Sequence, residues 1–173
     1  MTTEPEITLL YHLIGEAVYA SQVFEVAFVI AGKLALQQAD ARLLEDVEPI
    51  SQSRSFKQAS KALLNELNSA QSIDSNLAGR IERLIDDRHR VVHRAFLEFG
   101  VPGPLKTEQY AELCRQVTAE SQLLLIDLIE LVFAWMKRFP TRPEAASAEQ
   151  QFKLLAATVR QASVAPPGLQ GLA

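Results

Sequence analysis

Apolar residues in this chain return every three or four positions over long stretches, and nowhere do polar and β-branched residues alternate as a half-buried strand requires. That periodicity points to helices throughout. Thr3-Glu4-Pro5-Glu6 reads as a capped helix start, with Pro in the first turn. Leu10, Leu13, Ile14, Ala17, Phe24, Phe28, Ile30, Ala31 and Leu34 follow at helical spacing. The later half of this helix is apolar on nearly all sides, so it should be deeply buried, in part by a partner chain.

A second, shorter helix is predicted from about Ser55 to Leu67, with Phe56, Leu63 and Leu64 inward. Asp74 and Ser75 offer caps for a third that runs to Phe99, where Gly100, Pro102, Gly103 and Pro104 stop it. Thr107 is placed as the cap of a fourth long helix through Leu113, Val117, Leu124, Leu128, Val132 and Trp135, which Pro140 and Pro143 end. The expected fold is all-α: an antiparallel bundle of four to five helices over residues 1–140, an accessory helix within 141–162, and a disordered tail at 163–173.

The 173 residues, 48% of them hydrophobic, suffice for one domain with a core of its own. With a formal charge of −4 the chain as a whole does not attract polyanions, so any contact with nucleic acid must come from a local patch. A single cysteine, Cys114, excludes an internal disulfide or a cysteine metal cluster and is assigned to the core. The acidic N-terminus does not resemble a signal peptide, and no apolar run approaches the length that spans a bilayer. The expectation is a cytoplasmic protein without membrane contact.

Local charge concentrates at Arg88-His89-Arg90-Val91-Val92-His93-Arg94, which holds two of the chain's three histidines. On a straight helix, Ile81, Leu84, Ile85, Val92, Ala95, Phe96 and Phe99 share one apolar stripe, and Arg88 falls in its middle. Arg83 and Arg90 have Asp87 and Asp86 four residues away, whereas Arg88 has no carboxylate at helical spacing. A guanidinium aimed into an apolar stripe needs an anion or strong hydrogen bonds. The ordinary solutions are Glu16 or Glu25 of the first helix, or a stem lying along the core edge with its head in water. His89 and His93, four apart, share a face. The surrounding Arg88, Arg90 and Arg94 repel a divalent cation and attract phosphate, so no metal site is assigned. His12, the third histidine, is read as satisfied or solvent-facing.

The stretch from Ile81 to His93 resembles the signature helix of the HEPN superfamily: an arginine, a polar residue, and a histidine after four to six intervening positions. Arg88 and His93 enclose four residues, and His89 fills the polar place, which is often asparagine. The resemblance covers about residues 5 to 138. It implies a metal-independent endoribonuclease, including toxins and antiphage effectors, that leaves a 2′,3′-cyclic phosphate. Other members of the family are binding or scaffolding modules.

On that reading His93 is general base or acid, Arg88 stabilises the extra charge of the phosphorane, and His89 is auxiliary. Arg88, Arg90 and Arg94 bind phosphate, and no cofactor is implied. Five residues along a straight helix put Arg88 and His93 about 140° apart. The resemblance therefore implies a homodimer with a composite site, with RNA or a nucleotide as ligand and an antitoxin as a candidate partner.

Overall fold

The computed structural model describes residues 4–38, 56–94, 104–138, 143 and 146–164. Those residues form five α-helices and one π-helical turn, and among them there is no strand. In chain order the helices are α1 (Glu4–Gln38), α2 (Phe56–Ser69), α3 (Ser75–His89), α4 (Pro104–Arg138) and α5 (Ala146–Val164). The π turn, Arg90–Arg94, continues α3. The all-α bundle is as expected.

Two helices of 35 residues each, α1 and α4, form the main layer, and each is about 50 Å long at 1.5 Å per residue. Phe24 and Phe28 of α1 stack with ring centroids 5.8 Å apart, against a core that includes Leu63 of α2, Ile81 of α3 and Leu124 and Leu128 of α4. Phe152 of α5 is fully buried and meets Phe133 of α4 edge-on at 6.1 Å. Gly32 lets α1 approach α2 closely: a Cβ there would lie 2.8 Å from both methyl carbons of Leu63. Cys114 is buried, and burial pushes its thiol up to about 11, the state of a packing residue rather than a reactive one.

The α2–α3 connection is a Schellman turn. Ser72 N–H donates to Leu67 O and Gln71 N–H to Asn68 O, both at 3.0 Å, while Gln71 takes φ 52°. A side chain is disfavoured in that left-handed conformation, so Gln71→Gly is expected to raise stability by about 1 kcal/mol, read by chemical denaturation. Asp74 then caps α3, its Oδ1 accepting from the N–H groups of Asn76 (2.9 Å) and Leu77 (3.0 Å).

Three sequence expectations need adjusting. α4 begins at Pro104 rather than at Thr107, since a proline at the first helical position lacks only an N–H that has no intrahelical partner there. The third helix does not run on as an α-helix, because it leaves that geometry at His89; its predicted end, with Ala95, Phe96 and Phe99, lies outside the described residues. α1 is long and apolar enough over Ile7–Leu36, at a mean hydropathy of 1.5, to cross a bilayer by length and composition. In the bundle Ala17, Phe24, Phe28 and Leu34 of that span are core residues. The predicted disordered tail starts inside α5, which runs on through Ser163 and Val164; the rest of it, 165–173, and the side chain of Phe56 lie outside the described residues.

Candidate functional site at the end of α3

The cap at Asp74 and the buried face of Leu77, Ala78, Ile81, Leu84 and Ile85 fix the rotation of α3, and that rotation aims Arg88 at α1. Its Nε lies 2.9 Å from Glu25 Oε1, and the two side chains are only 15% and 14% exposed. Of the partners that spacing left open, the fold selects Glu25. Glu16 instead lies on the surface of α1, 3.1 Å from Nε2 of His12. The Nε–H itself is not aimed at that oxygen, so this Nε–Oε1 approach is Coulombic rather than a directed hydrogen bond. Burial pushes the Glu25 carboxyl up to about 7, and the Arg88 guanidinium opposes that shift without cancelling it.

The neighbouring charges sort by helix. Asp86 is held by Lys61 of α2 at 2.9 Å, and Arg90 pairs with Asp87, three residues before it, at 3.0 Å. Arg80 reaches Glu120 at 2.8 Å and Asp127 at 2.5 Å, tying α3 to α4. Arg94 is exposed on the π turn.

At Arg90 the backbone N–H is shared between the carbonyls of Asp86 and Asp87, and beyond it the chain adopts the wider π turn. Such turns are rare and occur frequently at functional sites. Val91, not the predicted Val92, takes the buried place, at 2% against 38% exposed. Angles counted along a straight α-helix therefore do not carry past His89, and the 140° offset that favoured a second copy of the motif does not describe this helix.

The carbonyl of Val91 accepts a hydrogen bond from the Tyr110 hydroxyl at 2.8 Å, which latches the π turn to α4. Burial pushes that phenol up to about 12, so it stays a donor at any ordinary pH. Tyr110→Phe is expected to cost about 1 kcal/mol and to speed amide exchange selectively over residues 90–94, measured by hydrogen–deuterium exchange.

His89 and His93 do share a face: their rings lie 5.0 Å apart and tilted by 48°. His93 is exposed and His89 half-buried, and both stand beside Arg90 and Arg94 in sequence. Among the described residues no group of three or more His, Cys, Asp and Glu side chains converges as a metal site would require. The site therefore combines a tilted imidazole pair, flanking guanidiniums, and one arginine held inward by a carboxylate.

Tyr110 and Lys61 were not singled out in the sequence. Tyr110 was traceable, because with Leu113, Cys114 and Val117 it lies on the buried stripe of α4, and a buried tyrosine hydroxyl needs an acceptor. Lys61 meets Asp86 across two helices, so no spacing within one helix reveals the pair. No family model, curated protein or solved structure matches the chain.

Proposed function

We propose that the His89–His93 face is a metal-independent endoribonuclease site of HEPN type. The observation that carries this reading is the tilted imidazole pair, 5.0 Å apart, with His89 at the end of α3 and His93 exposed on the π turn that also bears Arg90 and Arg94. An imidazole titrates near neutral pH, so His93 can take the 2′-hydroxyl proton and return one to the leaving oxygen. Arginine carries fixed charge suited to the non-bridging phosphate oxygens. His89, within ring contact of His93, orients it or donates to phosphate.

In this reading the products are a 2′,3′-cyclic phosphate and a 5′-hydroxyl. The test is incubation of the protein with ribo- and 2′-O-methyl oligonucleotides of one sequence in EDTA, with the ends read by mass spectrometry. Cyclic ends from the ribo strand alone support the reading. Cleavage that requires added metal, or that also cuts the 2′-O-methyl strand, refutes it.

One observation favours a second reading, an RNA- or nucleotide-binding module without turnover: the arginine of the motif is engaged by Glu25 rather than turned to the surface. A homodimer belongs to either proposal. Its support is now the apolar surface left on the long helices, with Tyr19 71% and Leu123 53% exposed, rather than the angle between Arg88 and His93. An antitoxin or other protein partner would compete for the same surface.

A further inference from the structure

Arg88 and Glu25 flank a cavity of about 10 Å³, walled by Phe24 and Phe28 of α1, Ser60 of α2, and Leu84 and Ile85 of α3. That volume holds about one water molecule and excludes a phosphate group. The charged group acting on Glu25 is Arg88 of α3. α2 presents the Ser60 hydroxyl, while Lys61, one residue on, is turned to Glu82 and Asp86. The neighbours on α1 itself, Ser21, Phe24 and Phe28, are uncharged. Beyond Arg88 on the π turn, Arg90 is paired with Asp87. A carboxylate thus occupies the guanidinium of the motif at the distance a phosphate oxygen would take.

We propose that Glu25 is an internal competitor of the phosphodiester at Arg88, closing the site while ionised and releasing the guanidinium when it takes up a proton or is displaced by bound RNA. The inference rests on the phosphate-binding reading above and adds its regulation. The α3–π junction gives the release a route, since Arg88 lies two residues before the π turn and the helix beyond it is already out of α register. Occupancy of Arg88 by substrate then becomes linked to pH through a residue that takes no part in proton transfer to RNA.

The experiment is fluorescence anisotropy with a labelled 2′-O-methyl decaribonucleotide, which binds without being cleaved, between pH 5.5 and 8.5, for the unsubstituted protein and Glu25→Gln. With the carboxyl titrating near 7, about one-tenth of the protein is released at pH 8, so the variant should bind about tenfold more tightly there and equally at pH 5.5. Effects of pH that do not pass through Glu25 are common to both proteins and cancel in the ratio.

Equal affinity at pH 8 would overturn the competitor and leave the phosphate reading standing. No binding by either protein at any pH would remove that reading, and the competitor with it. Should Glu25→Gln not fold, the 13C carboxyl signal of Glu25 in the unsubstituted protein decides. Saturating oligonucleotide should raise its titration midpoint as Arg88 is taken away, and an unchanged midpoint overturns the proposal.

Discussion

Arg88→Ala is expected to lower stability by about 3 kcal/mol at pH 8.5 and by about 1.5 kcal/mol at pH 5.5, measured by urea denaturation at the two pH values. The difference follows from Glu25, whose carboxyl is raised from 4.5 to about 7 in the folded chain. A carboxyl raised in this way contributes stability that is fully present below 4.5 and is lost as pH rises through 7, because the folded state binds the extra proton.

Removing Arg88 takes away the one influence that holds the midpoint down, so the loss extends to higher pH. At pH 8.5 the stranded acid must either stay ionised in an apolar wall or take up a proton. With the midpoint at 7, protonation there would cost about 2 kcal/mol, and with Arg88 gone the midpoint lies higher and the cost is smaller. That escape keeps the effect at the low end of the 3–5 kcal/mol typical of a broken buried pair. At pH 5.5 Glu25 is neutral in both proteins, so no buried charge is stranded and what is lost is the packing of the arginine stem. A pH-independent deficit would mean that Arg88 acts through packing alone.

If the proposed ribonuclease reading holds, His93→Ala is expected to reduce RNA cleavage by roughly 10²- to 10⁴-fold, the range for loss of a general acid–base. Stability should stay within about 0.5 kcal/mol, since the side chain is exposed and its one recorded ring contact is with His89. The pairing of a large kinetic effect with a small thermodynamic one separates catalysis from folding. Cyclic-phosphate formation in EDTA and a thermal melt, made on the same preparation, read both. Cleavage that survives the substitution would remove His93 from the reaction. A variant that loses cleavage together with several kcal/mol of stability would point to a structural role for the imidazole.

The helices were legible because each is announced locally. Period-3.6 apolar residues, the Asp74 cap and the proline-rich breaks all act within a few residues of the element they define. The misfit of Arg88 was also legible, and Glu25 stood among its named partners, since a charge in an apolar stripe demands a counter-ion and α1 offered few. What distance along the chain concealed was the choice between Glu16 and Glu25, which depends on how α1 and α3 cross. The π turn has no propensity signal in Arg-Val-Val-His-Arg. The contacts on either side of it, Lys61 with Asp86 and Tyr110 with the Val91 carbonyl, join residues far apart in the chain.

The packing of α1 on α4 and α5 also orders events in time. A ribosome that adds 5–20 residues per second delivers α1 on the order of ten seconds before the helices that cover it. During that interval the span Ile7–Leu36 is an uncovered apolar segment of bilayer-spanning length, facing chaperones and translocation machinery before its own core exists. α2, which meets it at Gly32 and Leu63, is the first element to arrive and shields only part of it. The helix that anchors the finished bundle is therefore the nascent chain's main liability, and substitutions that speed docking of α4 should raise soluble yield more than they raise equilibrium stability.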